Sequence, residues 1–131
     1  MSEQVWTEQS WTRIETKEEA ISWLEKAVAE RGGDFVSQSR PVGGPAEEIR
    51  GPYCVYVWEN KPDCMIGVAL HLAGWRIAEL EARNDLDILD LTKFFQDRLS
   101  EEAARIFNVA QYSQDTGRAW GQALEDAKEA I

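Results

Sequence analysis

YCVYVWENKPDCMIGVALHLAG, residues 53–74, contains the change of pattern on which the fold turns. Tyr53 to Trp58 is apolar on both faces and rich in β-branched and aromatic side chains, which predicts a strand lying centrally in a small sheet. Asn60-Lys61-Pro62-Asp63 breaks it, and Pro and Asp close to a first turn favour a helix start. Cys64 to Ala73 reads as a hairpin partner for that strand or as a buried helix. The helix is preferred because Ala and Leu dominate, strict alternation is absent and Gly74 offers a C-terminal stop. Trp75 to Arg83 predicts a second, shorter helix with Ile77 and Leu80 inward. Asp85 to Leu91, apolar residues among acids, reads as a helical turn or an extended connector.

N-terminal to this core stretch, Thr16-Lys17-Glu18-Glu19 has the form of a capping box, in which the Thr16 hydroxyl accepts from the Glu19 N–H and Glu19 reaches back. Ala20, Ile21, Leu24, Ala27 and Val28 follow at helical spacing with Trp23 on the flank, and Gly32-Gly33 ends the run, so a helix spans 17–31. Short strands are expected at 11–14 and 34–40, and residues 1–10 read as a loosely held arm. Pro41, Gly43, Gly44, Pro45, Gly51 and Pro52 bracket a surface loop. C-terminal to the core stretch, Ser100 caps a helix with Glu101 and Glu102 in its first turn and Ala103, Ile106, Phe107 and Ala110 as its inner stripe. Gly117 closes that helix, and a final one from about 118 to 130 buries Trp120, Ala123, Leu124, Ala127 and Ile131. The predicted fold is α+β and mostly helical: about three strands, antiparallel or mixed, against four to five helices, the last two an antiparallel pair lying on the sheet.

Composition fits one domain over 1–131. A chain of 131 residues, 44% hydrophobic and with 13 aromatics, buries enough surface to fold without metals or disulfides. The composition excludes disorder for the bulk of the chain. No apolar run approaches the roughly 20 residues that span a bilayer, and MSEQVWTEQSW lacks the basic head and apolar core of a secretory signal. Cytoplasmic residence is the expectation, and Cys54 and Cys64 read as buried small hydrophobes in a reducing compartment.

The acids outnumber the bases 24 to 14, for a net charge of −10. Dividing the chain after Met65 leaves 12 acids and 7 bases on each side, so the acidity belongs to the whole fold. Its densest part is Glu79–Glu102, where eight acids (Glu79, Glu81, Asp85, Asp87, Asp90, Asp97, Glu101, Glu102) face three bases (Arg83, Lys93, Arg98). Such a field repels phosphates and anionic lipid and steers basic partners. The plainer reading is that these carboxylates solubilise the fold.

Few residues offer catalytic chemistry. Cys54, Cys64 and His71 fall short of the four ligands of a zinc site. Cys64 at a helix start could be an activated thiol, but His71, two turns on and roughly 10 Å away, is beyond reach as its base. Asp85, Asp87 and Asp90 open like an EF-hand loop, yet the sixth position is Asp90 instead of Gly and the twelfth is Gln96 instead of Glu. Gly43-Gly44 lacks the residues of a phosphate loop. Residues 66–83 have the outline of a helix-turn-helix, but in RIAELEAR Arg76 and Arg83 are cancelled by Glu79 and Glu81, which argues against DNA reading. No metal or other cofactor is implied. Six tryptophans are more than a core of this size needs, and Trp6, Trp11 and Trp23, with Tyr112, are the candidates for an exposed aromatic patch.

Three pieces, residues 53–74, LSEEAARIFNVAQYSQDTG and RAWGQALEDAKEA, together resemble a group of small actinobacterial and actinophage proteins of unassigned activity. The resemblance implies a compact α+β domain with phage or prophage association, and it carries no catalytic residue. The expected function is therefore a non-enzymatic accessory protein that binds a basic-surfaced protein, a host factor if the chain is phage-encoded. It would bind neither nucleic acid nor membrane. Asp85, Asp87, Asp90, Asp97, Glu101, Glu102, Trp6, Trp23 and Tyr112 are the expected contact residues. The alternative is a nucleic-acid mimic that occupies the site of a DNA-binding defence enzyme; a third class is thiol chemistry at Cys64.

Overall fold

The computed structural model describes residues 12–37, 55–84 and 86–130. Among them the chain forms six helices and one hairpin, in the order α1 (Lys17–Arg31), β1 (Val57–Trp58), β2 (Lys61–Pro62), α2 (Met65–Leu72), α3 (Ile77–Glu81), α4 (Ile88–Thr92), α5 (Glu101–Asp115) and α6 (Trp120–Glu129). The class is mostly helical α+β. The sheet, however, is a two-stranded antiparallel ribbon pairing Val57 with Pro62 and Trp58 with Lys61, and the described helices number one more than the upper expectation.

Helix α1 occupies the predicted span, and both bonds of its capping box form: Glu19 N donates to Thr16 Oγ1 (3.1 Å) and Thr16 N to Glu19 Oε1 (3.2 Å). The predicted stops Gly32, Gly74 and Gly117 have φ of +97°, +108° and +96°, values that L side chains rarely adopt. Cys64–Ala73 is helical, as preferred, and Asp85–Leu91 resolves into the short helix α4, although Asp85 itself lies outside the described residues.

The sheet is smaller than expected: of 53–58, Val57–Trp58 alone is a strand among the described residues. Val55, Tyr56 and Val57 are buried as a central strand would be, but among the described residues Val57 alone of the three is in a strand, paired on one side with Pro62. The N–H groups of Asp63 and Cys64 bond to Tyr56 O and Val55 O. The Asn84 amide takes both backbone groups of Val57, accepting from its N–H at 3.0 Å and donating to its carbonyl at 2.9 Å. Glu59 and Asn60, with φ of +53° and +65°, turn the chain so that Lys61-Pro62 becomes the second strand. The strand expected at 11–14 reduces to one parallel bridge, in which Ile14 N donates to Arg98 O and Ser100 N to Ile14 O. Asp34–Ser37 is not a strand; Phe35 O and Gly33 O instead accept from Trp120 N and Gly121 N and cap α6. Residues 38–40 lie outside the description.

Helix α5 is the axis of the core. It packs on α6, α1, α4 and α2, while α2 lies against α1 and the hairpin against α2 and α3. The α5–α6 pair thus rests on α1, and the hairpin is not its floor. Trp75, Trp120, Tyr56 and Phe107 are the largest fully buried side chains. Trp120, Ala123, Leu124 and Ala127 form the inner stripe of α6, as predicted, and Ile131 lies outside the description. Gly67 on α2 lies so close to the hairpin that a Cβ there would overlap the Tyr56 carbonyl.

Candidate functional site

Beyond its apolar stripe, α5 turns two glutamines inward. Gln111 Oε1 accepts from Ile88 N at 2.8 Å, and its Nε2 donates to Tyr56 Oη at 3.1 Å, which in turn donates to Leu86 O at 2.7 Å. Gln114 Oε1 accepts from Met65 N at 2.9 Å and from the Ser37 hydroxyl at 3.1 Å, and Ser37 Oγ accepts from Trp120 Nε1 at 2.7 Å. Each amide therefore supplies an oxygen to the first N–H of another helix, α4 or α2, which has no partner within its own helix. Burial raises the Tyr56 hydroxyl well above its ordinary value, so this network holds no charge at neutral pH. Its chemistry is structural.

Cys64 is sealed in the same region. Its sulfur accepts from Gly67 N at 3.3 Å, as an N-cap would. Burial pushes the thiol up to about 12; the hydrogen bond from the Gly67 N–H acts in the opposite sense but does not offset it. The thiolate-lowering effect of a helix N-terminus is thus outweighed by desolvation. His71 is exposed and its Nδ1 lies 2.9 Å from Trp75 O, so the two side chains form no pair. Cys54 lies outside the description. Among the described residues no group of three or more His, Cys, Asp or Glu side chains could hold a metal ion, and no helix is long and apolar enough to cross a membrane.

The predicted acids separate into different tasks. Asp87 caps α4 by accepting from Asp90 N at 2.8 Å, and Asp90 pairs with Lys93 at 3.2 Å. Glu102 accepts from Lys17 N at 2.8 Å and so begins α1 from another helix. Glu79 and Arg98 form two parallel bonds of 2.9 Å, largely buried, with the Arg98 guanidinium over the rings of Trp75 and Phe95. Asp97 and Glu101 are exposed. Of the expected aromatics, Tyr112 is 72% exposed, whereas Trp23 is half-buried under the Lys26 ammonium. Trp6 and Trp11 lie outside the description.

What the sequence did not foretell is a groove of about 700 Å³ between α4 and the start of α5, walled by Leu89, Lys93, Leu99, Glu101 and Arg105 and closed at one side by Arg13. Arg13 is held there by a bond to Gln96 O at 3.0 Å and a pair with Glu15 at 3.4 Å. Leu89 and its neighbour Phe94 are 41% and 63% exposed, the latter with Arg83 over its ring. Three cations from three distant parts of the chain share this concavity with one acid. A smaller depression at the other end of α5 gathers Tyr112, Ser113, Arg118 and Asp126, where the Ser113 hydroxyl and Gln122 amide bind Asp126 and hold its carboxyl below the usual range. An ionised acid bonded to a buried serine is a stable ending for the α5–α6 turn. No protein-family model matches this chain, and neither a curated protein nor a solved structure matches it.

Proposed function

We propose that this chain acts without catalysis, by binding another protein whose contact surface is basic. The observation that supports this reading is the exposure of Asp90, Asp97 and Glu101 along the same segment that supplies the α4–α5 groove and the exposed side chains Leu89 and Phe94. Carboxylates steer a basic partner and set its on-rate, while apolar and aromatic side chains inside the acidic surround provide the anchors. Lys93 and Arg105, both exposed, interrupt the acids. That interspersion favours a protein partner over a phosphate-like band that would imitate nucleic acid. If the chain is phage-encoded, a host factor is the partner of first choice.

The test is affinity capture from native host lysate at low and high salt, followed by kinetics with the purified partner. The combined variant Asp90→Asn, Asp97→Asn and Glu101→Gln should slow association about tenfold at low salt and flatten its salt dependence. Rates that respond to neither salt nor the substitutions would overturn the reading.

A further inference from the structure

The lining of the α4–α5 groove is basic in a chain of net −10: Arg13, Lys93 and Arg105 line it with one acid, Glu101, while Arg13 pairs with Glu15, an acid outside the lining, at 3.4 Å. Arg105 is exposed, and among the described residues it enters no ion pair. Lys93 is 72% exposed and its partner Asp90 52%, so that pair is weak and exchangeable. Leu89 and Leu99 give the groove an apolar wall beside these charges. At about 700 Å³ and open along one side, it has room for two or three side chains, not for a helix.

We propose that this groove receives a short acidic segment of the protein partner, its carboxylate held by Arg105 with Arg13 and Lys93 and an adjacent large apolar side chain laid on Leu89. The inference rests on the protein-binding reading and deepens it: the acidic surround selects a basic surface, and the cationic groove within it selects one acidic anchor on that surface. Charge complementarity chooses this occupant. A free phosphate or the backbone of a nucleic acid would use the cations but leave the apolar wall of Leu89 and Leu99 bare. A peptide carboxylate satisfies Arg105 in a two-bond geometry and places its neighbour on Leu89.

A displayed library of random linear peptides, panned on the full chain, tests this directly. The enriched family should carry Asp or Glu next to Leu, Phe or Trp. A labelled peptide of that family, followed by fluorescence anisotropy, should bind Arg105→Glu about tenfold or more weakly and Arg105→Lys with an intermediate loss, since the ammonium keeps the charge without the two-bond geometry. Amide shifts on binding should centre on 89–93 and 99–105. Enriched peptides without carboxylates, or equal binding to Arg105→Glu, would overturn the groove assignment, as would a sedimenting dimer of the parent chain that Arg105→Glu splits, since the occupant would then be a second copy. If Lys/Arg-rich peptides enrich instead and lose affinity for the Asp90→Asn, Asp97→Asn, Glu101→Gln chain but not for Arg105→Glu, the groove assignment fails and the protein-binding reading stands. If no family enriches over a bare surface, both fail.

Discussion

Helix α1 starts on a two-way capping box of its own, Thr16 and Glu19, to which Glu102 adds an acceptor for its first N–H, whereas α2 and α4 have one local cap bond each, from Cys64 and Asp87, and give their first N–H groups to glutamines 49 and 23 positions away in sequence. The same contrast separates two regions of the molecule. The long helices α1, α5 and α6 close most of their hydrogen bonds internally and bury one apolar stripe each. The stretch 55–99 is made of two-residue strands and helices of five to eight residues, too short to be stable alone. Several of its backbone groups are satisfied by side chains from outside the stretch, Gln111, Gln114, and Arg31, whose guanidinium donates to Pro62 O and Asp63 O, and Val57 by the Asn84 amide from within it. The difference teaches where stability is local and where it is borrowed, and it orders the expected effects of substitution.

The largest effect should fall where the borrowed region touches itself. A Cβ at Gly67 would sit within 2.9 Å of the Tyr56 Cα and carbonyl carbon, and backbone cannot step aside as the end of a flexible side chain can. Gly67→Ala should therefore cost about 3 kcal/mol or more, despite alanine's better helix propensity. Urea unfolding measures it. A neutral or stabilising result would mean that the hairpin does not lie on α2 as described.

Next comes the acceptor at Gln114. Gln114→Leu keeps the bulk but leaves Met65 N–H and the Ser37 hydroxyl short of a buried acceptor, at about 2 kcal/mol. Thr16→Ala, which removes a solvent-exposed local cap, should cost about 1 kcal/mol. Equal losses in thermal unfolding would erase the distinction between borrowed and local satisfaction.

This distinction also explains what could be read from the chain. Helix 17–31, its capping box, the stops at Gly32, Gly74 and Gly117 and the burial of Tyr56 and Trp120 are legible because each depends on residues within a turn or two of one another. The expected three-stranded sheet is a two-stranded ribbon among the described residues, because the apolarity of 55–57 specifies burial and leaves open which groups satisfy the backbone. A signal for the glutamines did exist. The stripe Ala103, Ile106, Phe107, Ala110 continues at the same spacing to Gln111 and Gln114, two polar residues pointing inward and in need of partners. The groove had no such signal: Arg13, Lys93 and Arg105 meet only through the Ile14–Leu99 bridge and the packing of α4 on α5.

The smallest effect of the series lies at Glu79, a carboxylate that fastens α3 to the turn before α5. Burial pushes its carboxyl up, but the paired bonds from Arg98, the Arg76 N–H and the nearby positive charges outweigh burial and hold it below its ordinary value of 4.5. A carboxyl depressed in the folded state binds protons more readily once unfolded, so its contribution is fully present above 4.5 and drains away as pH falls through the lower folded value. Glu79→Gln should thus cost about 1 kcal/mol at neutral pH, a figure between exposed and buried ion pairs, and the gap to the parent chain should narrow steadily in acid below the ordinary glutamate range. Glu19 supplies the control. The N–H groups of Glu15 and Thr16 lower its carboxyl too, but it is exposed within one turn of its own helix, and Gln in a capping box accepts the same bonds. Glu19→Gln should leave a smaller and flatter gap. If urea titrations across the acid range give the two variants the same pH dependence, the Glu79–Arg98 bond is no more than a surface pair, and the borrowed region loses one of the links that distinguish it from the long helices.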